Sequence, residues 1–355
     1  FSGTENAERT LSLQQEILLG GKIKKRRRIA SRELENIEWR LKSLEQDIRN
    51  DVAHAFINLL GSQKALALQQ NLVKLSEQVY ETVKLKVDAG KVSAIEAIKA
   101  DVEVKNNRQA LQALERRMKR SRKSLASFWG ATAPDFSAVA GRLEKLPVLP
   151  GFGHLVAALP ENPDIRRLDT ETQYQRARLD LAMSRRIPDL TLSGSYRDVP
   201  ETDDHAFVFE IAVPLKIFDR NQGNIEAARQ SLKQVDHHQA AILNARQRDL
   251  NAAFQDALAL RDEIDALKQE IIPATRRVFS AKQEGYQRGK FTYLELLDAQ
   301  RMLFESQKRK NEAMTDYHLA VADIERLIGQ TLDQADSHEP MNKNKGLQQE
   351  VQDND

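Results

Sequence analysis

The sequence predicts an α+β chain, mainly of long α-helical hairpins, in which one strand-plus-hairpin unit is written twice. Three observations predict it. The 355 residues hold only 15 Gly and 10 Pro, with 30% charged and 6% aromatic residues, the profile of long helices rather than of a compact core. Segments alternating apolar and polar residues, the period of a half-exposed strand, stand before long runs of helical period. Sequence landmarks then recur at a nearly constant separation.

The duplication is read from those landmarks. Gly90-Lys91-Val92-Ser93-Ala94-Ile95-Glu96 resembles Gly289-Lys290-Phe291-Thr292-Tyr293-Leu294-Glu295, an offset of 199 positions, and Gly130 matches Gly329 at the same offset. Upstream, Ala55-Phe56 matches Ala253-Phe254 and Gln15–Leu19 matches Val213–Ile217 at an offset of 198. The second copy therefore carries one extra residue in its first long helix, which we associate with Pro273.

Each unit opens with a strand. In the first, Leu11, Leu13, Gln15, Ile17 and Leu19 share one face, and Thr10, Ser12, Gln14 and Glu16 the other. In the second, Phe207, Phe209, Ile211, Val213 and Leu215 alternate with Val208, Glu210 and Ala212; Pro188–Arg197 precedes it as a further strand, and the link Asp198–His205 makes the two a hairpin. Strands of roughly 9–11 residues have the length of tilted barrel strands that cross a bilayer.

Helices follow. Ile37, Leu41, Leu44, Ile48, Val52, Phe56 and Leu59 recur at spacings of three and four, a narrow stripe suited to coiled-coil packing. A helix from Gly21 to Asp88 would span on the order of 100 Å at ~1.5 Å per residue. Return helices run from Gly90 to Trp129 and onward from Gly289. Residues 1–130 form the first repeat, 131–187 a connector with a short helix (Asp164–Arg186), 188–329 the second repeat, and 330–355 a polar, disordered tail. The stretch Ala131–Pro163 holds Pro134, Pro147, Pro150, Pro160 and Pro163, half of all prolines, so it turns and loops.

Several function classes are excluded. No cysteine exists, which removes disulfides, thiolate metal sites and cysteine nucleophiles. Hydrophobic residues at 41% rule out disorder for most of the chain, and a net charge of +2 gives no global field towards nucleic acid. No run of 18 apolar residues marks a transmembrane helix, so a membrane role would come through strands closing into a barrel. The basic run Lys24-Lys25-Arg26-Arg27-Arg28 lacks interleaved aromatics and reads as a solvated charge run, with no nucleic acid as partner. The seven histidines form no ligand cluster by spacing; His237 and His238 are adjacent and diverge on a helix. No catalytic arrangement emerges, so no enzyme and no cofactor are expected.

At this point a resemblance enters. Gln15-Glu16-Ile17-Leu18-Leu19-Gly20-Gly21-Lys22, Asn162-Pro163-Asp164, Pro188-Asp189-Leu190-Thr191-Leu192, Val213-Pro214-Leu215 and Gly289–Gln300 resemble the TolC-like outer-membrane factors, over about residues 8–330. The wording Leu19-Gly20-Gly21-Lys22 leans towards the heavy-metal (CzcC-like) branch. The resemblance implies a homotrimer with a transmembrane β-barrel of twelve strands and a tubular α-barrel in the periplasm. It would be the passive outer-membrane conduit of a tripartite efflux system, in outer-membrane lipid, with a periplasmic adaptor (membrane fusion protein) and an inner-membrane RND-type pump. Three strands rather than four are found, and the helix equivalent to Asp164–Arg186 is missing from the first repeat; both are expected to precede Phe1, together with a signal peptide and any lipidated cysteine.

The resemblance also assigns residues. The hairpin tips, Gly90, Val92, Ser93, Gly289, Phe291 and Thr292, would dock on the adaptor. Glu295 and Asp298, at i and i+3 on one helix face, would line the pore constriction at the periplasmic mouth, where crowding would leave some carboxylates protonated near neutral pH. Tyr286 and Glu96 match positions that link neighbouring hairpins in the closed channel; where the family places the arginine partner, Phe291 stands. A periplasmic adaptor would show a single hairpin among β-rich domains, and a structural coiled coil has no use for lipid-length strands at equivalent points of both repeats.

Overall fold

The structure, a computed structural model, describes residues 8–200 and 202–337. Its elements are β1 (Arg9–Ile17), α1 (Lys22–Asp88), α2 (Ala94–Ser127), α3 (Phe152–Ala158), α4 (Pro163–Ser184), β2 (Leu190–Val199), β3 (Asp204–Ala212), α5 (Gln222–Ala266), α6 (Ile272–Gln287), α7 (Tyr293–Ile328) and α8 (Leu332–Ser337). Two compact units are formed, one from residues up to Ser43 with Pro163–Ala245, the other from Leu44–Asn162 with the residues from Arg246 onward.

The first unit holds an antiparallel sheet of order β1-β2-β3. Leu11 lies opposite Tyr196, Leu13 opposite Gly194 and Ile17 opposite Leu190; across the hairpin Tyr196 meets Phe207, Gly194 meets Phe209 and Leu192 meets Ile211. Because side chains alternate along a strand, this register collects Leu11, Leu13, Ile17, Leu192, Tyr196, Phe207, Phe209 and Ile211 on one face, and Thr10, Ser12, Gln14, Thr191, Ser193 and Ser195, with Val208 and Ala212 of β3, on the other. The ends differ from the sequence reading for local reasons. β1 stops at Ile17 because Gly20 and Gly21, at φ 68° and 69°, turn the chain into α1. β3 stops at Ala212 and does not reach Leu215, since Pro214 cannot donate to a ladder. The β2–β3 link is tighter than Asp198–His205, because those two residues pair and the Tyr196 and His205 rings stack.

In the second unit the apolar stripes of α6 and α7 face each other. Phe279, Tyr286, Tyr293, Leu296 and Leu303 form one cluster with Val79, Val83 and Ala100. The connector lies against α7: Tyr317 Oη donates to the Pro147 carbonyl at 2.6 Å, and Asn162 Nδ2 donates to the carbonyls of Arg326 and Leu327 at 2.9 Å, satisfying acceptors that a helix end leaves free. Where the connector was expected to be loop, α3 forms; where the tail was expected to be disordered from residue 330, α8 forms at Leu332–Ser337. Residues 338–355 and Phe1–Ala7 lie outside the described residues.

The duplication is visible in the backbone. Gly90 and Gly289 take φ 67° and 76°, Gly130 and Gly329 φ 76° and 81°. The extra residue of the second copy is a π-helical turn, Leu267–Ile271, in which the Ile272 amide donates to the Leu267 carbonyl five residues back. Pro273 follows directly. No helix among the described residues is long and apolar enough to cross a membrane.

Candidate functional site

The two hairpin tips are built alike. At each, the helix ends in a Schellman turn: Lys91 N donates to Lys86 O and Gly90 N to Val87 O at 2.8 Å, while Lys290 N donates to Gly285 O at 2.8 Å and Gly289 N to Tyr286 O at 3.1 Å. Both glycines face open space, so each is required for its positive φ rather than for close packing. Three residues on, Ser93 and Thr292 cap the return helices, Ser93 accepting from Ile95 N and Thr292 from Glu295 N.

The copies then diverge. Glu295 completes a capping box: its Oε2 accepts from Thr292 N at 2.9 Å and from Thr292 Oγ1 at 3.0 Å, and its Oε1 accepts from Lys282 Nζ at 2.7 Å. The Lys282 ammonium and the Thr292 donors hold its carboxyl down to about 2. The protons expected from crowded carboxylates are therefore not retained by Glu295 in the single chain. Asp298 is exposed one turn on, on the same face.

Glu96, the counterpart of Glu295, makes no box. It accepts instead from Tyr286 Oη at 3.4 Å, so the structure brings the two residues assigned to the inter-hairpin link together within one chain. Tyr286 is buried, and Lys86 lies over its ring at 4.2 Å while donating to its carbonyl. Burial, then the negative Glu96, push its hydroxyl up to about 12. Tyr293 is likewise pushed up to about 12 by burial and Glu103, and Glu103 pairs with Arg301 at 2.6 Å.

Phe291 occupies the place of the missing arginine by a different logic. Its ring fills the space beside Gly285, where a Cβ would lie 2.3 Å from a ring carbon, and Lys282 sits 3.8 Å above it. One lysine thus holds both the ring and Glu295. Sequence reading missed Lys282, Lys86 and Arg301. The available signal was position, since Lys282 and Glu295 stand nearly equidistant from the turn at Gly289.

An apolar stripe of α2, Ile95, Ile98 and Val102, stays at least 49% exposed beside this network. Among the described residues, no group of three or more acidic or histidine side chains is placed to hold a metal ion.

Comparison with known proteins agrees with this architecture. The family described as outer membrane efflux protein matches residues 2–131 and 155–330. The cobalt-zinc-cadmium resistance protein CzcC of Cupriavidus metallidurans is 32% identical over 330 residues, covering 92% of this chain and 78% of that protein. The nickel and cobalt resistance protein CnrC of the same organism is 25% identical over 72% of this chain and 60% of its own length. The open-state MtrE outer membrane channel of Neisseria gonorrhoeae superimposes with a TM-score of 0.75 at 18% identity, over 93% of this chain and 82% of that one.

Proposed function

We infer the function from the family: this chain belongs to the outer membrane efflux protein family and is an outer-membrane efflux channel protein. The reading taken further is that several copies close a transmembrane β-barrel and a periplasmic helical tunnel, with a trimer as the complete assembly. The observation that carries it is the one-sided sheet. Leu11, Leu13, Phe207, Phe209 and Ile211 are 70–84% exposed on a single face, a contiguous apolar surface that water disfavours and lipid accepts. The three strands among the described residues are too few to close a barrel, since outer-membrane barrels start at about eight. The exposed stripe Ile95, Ile98 and Val102 supplies a second surface that neighbouring copies would cover.

Transport in this reading is passive. An inner-membrane RND-type pump and a periplasmic adaptor deliver the substrate, and the adaptor engages the tips at Gly90, Val92, Ser93, Gly289, Phe291 and Thr292. Divalent heavy-metal cations are the proposed substrate; the names of CzcC and CnrC support this. Glu295 and Asp298 from each copy would ring the periplasmic mouth, where weak electrostatic attraction favours cations without trapping them. The test is mass determination of the detergent-solubilised protein together with planar-bilayer recording. A trimer that conducts is expected; a stable monomer without conductance would overturn the reading.

A further inference from the structure

The basic run that begins α1 is not used by the channel reading, and the structure places it among partners that the sequence did not reveal. Three chain segments meet at one end of the sheet: the β1–α1 turn, the α4–β2 turn and the chain leaving β3. They are stitched together. Lys22 is buried and donates to Asp189 Oδ1 and to Ile187 O, both at 2.7 Å; Leu19 N donates to Asp189 Oδ1 at 2.9 Å; Lys216 Nζ donates to Arg185 O at 2.5 Å; and Asn221 Nδ2 donates to Ala182 O at 2.8 Å. The three segments, residues 19–29, 184–190 and 213–222, carry ten basic and two acidic side chains.

Both acids are occupied. Asp189 is held by Lys22, and Asp219 caps the Asn221 amide at 2.8 Å. Arg28 reaches Asp180 at 3.6 Å. Lys24, Arg26 and Arg27 are exposed, and no ion pair joins these or Lys25 to an acid among the described residues. Among the charges stand apolar side chains that water does not favour. Phe218 is 92% exposed, Leu215 82%, Ile23 65% and Ile217 62%. Exposed apolar residues interleaved with unneutralised lysine and arginine, at the end of strands of bilayer-crossing length, have the chemistry of a membrane interface. The apolar groups enter the acyl boundary and the cations meet phosphate.

We propose that this junction is a lipid-binding belt, in which Lys24, Lys25, Arg26 and Arg27 engage the headgroups of anionic phospholipids while Ile23, Leu215, Ile217 and Phe218 enter the adjoining acyl layer. The proposal rests on the membrane reading of the sheet. It assigns the periplasmic side of the membrane to the helix-bearing end of the strands. Charge complementarity selects the occupant, since a zwitterionic headgroup offers no net charge to a patch of this sign. Nucleic acid is disfavoured by the apolar groups among the cations.

The test uses the full chain in a neutral detergent, titrated with phosphatidylglycerol or phosphatidylcholine and read as bound lipid by native mass spectrometry. Each neutralised charge near an anionic surface is worth about fivefold in binding. The variant K24Q/K25Q/R26Q/R27Q is therefore expected to weaken phosphatidylglycerol binding by about a hundredfold or more and leave phosphatidylcholine binding unchanged. Gln suits an exposed helix, and R26K/R27K, which keeps the charge, should bind as the parent does. Raised salt should reduce the preference. Equal binding of the two lipids by the parent, or a preference that survives in the Gln variant, overturns the proposal. So does displacement of phosphatidylglycerol by inorganic phosphate at equal concentration, or tighter binding of a short DNA duplex. Conductance in phosphatidylcholine bilayers separates the two readings: a conducting protein without lipid preference refutes the belt alone, whereas a protein that neither inserts nor conducts refutes the channel.

Discussion

Gly289 separates two effects that a tip mutation would otherwise confound, backbone strain and partner docking. Its φ is 76°, a region costing an L residue about 1–2 kcal/mol, and nothing lies within 4 Å of an added Cβ. Gly289→Ala therefore bears the backbone cost and no packing cost. Gly289→Leu bears the same cost, because its longer side chain projects into open space, and the two should agree within about 0.5 kcal/mol. Opening of the turn should rise about 5- to 30-fold in both, read as faster hydrogen exchange at the Gly289 and Lys290 amides, which donate to Tyr286 and Gly285. Gly289→Asn should lose less, since Asn tolerates this region. Docking should respond differently. If a partner's helices approach the tip backbone, Leu blocks them where Ala does not, so Leu should abolish metal export and adaptor crosslinking while Ala retains a measurable fraction. Equal export by the two variants, with equal exchange, would refute the assignment of the tip as a docking surface and leave Gly289 as a turn residue alone.

Replacing Glu295 by Gln and Asp298 by Asn should lower cation selectivity and block by multivalent cations in planar-bilayer recordings; unchanged selectivity would make them a solvated face and a helix cap. Tyr286 should titrate far above the ordinary range. Its contribution to stability is full below pH about 10 and lost as pH rises towards 12, and spectrophotometric titration of the parent against Tyr286→Phe should isolate a late-ionising tyrosine. Removing one residue from the π turn, for example Gln269, should be tolerated and leave export near normal, whereas removing Gln247 from α5 should abolish assembly. Equal loss in both deletions would show that the wide turn is required in itself.

The elements were legible in the sequence wherever a period was sustained. The stripe from Ile37 to Leu59 marked α1, and alternation marked all three strands within a few residues. The ends were missed where one backbone feature overrode the pattern, as Pro214 does in stopping β3. The tip glycines could be read from their repetition, whereas the capping roles of Ser93 and Thr292 came only with the structure. The network around Tyr286 could not, because its members come from both hairpins. Lys86 and Glu96 belong to the first and Tyr286, Lys282 and Glu295 to the second, and no local spacing announces a contact between residues about 190 positions apart. Lys22 was hidden for a similar reason. Within a basic run it reads like its neighbours, yet it alone is buried, its charge answered by Asp189 from another strand's entrance.

The two copies share a backbone plan but differ in what they do with the same acid, and the π turn explains how that was possible. An extra residue in an α-helix rotates everything beyond it by about 100°, which would turn the buried face of α6 away from its core. Upstream of the turn Ala257 matches Leu59 at an offset of 198, and both are fully buried; downstream Ile272 matches Val73 and Thr275 matches Ser76 at 199, and all four are buried. The i→i+5 bond from Ile272 to Leu267 absorbs the insertion within one widened turn, so the faces on both sides stay in phase. Pro273, which lacks an N–H, fits where the regular ladder is already interrupted. With phase preserved, the tip of the second copy could keep its Schellman turn and cap while its side chains changed. Gly285 leaves room for Phe291, Lys282 binds that ring and Glu295, and Glu295 is held in the capping box. Glu96, which forms no such box, accepts from Tyr286 across the hairpins. The asymmetry of the two tips thus follows from side chains placed on two backbones held in register by a single irregular turn.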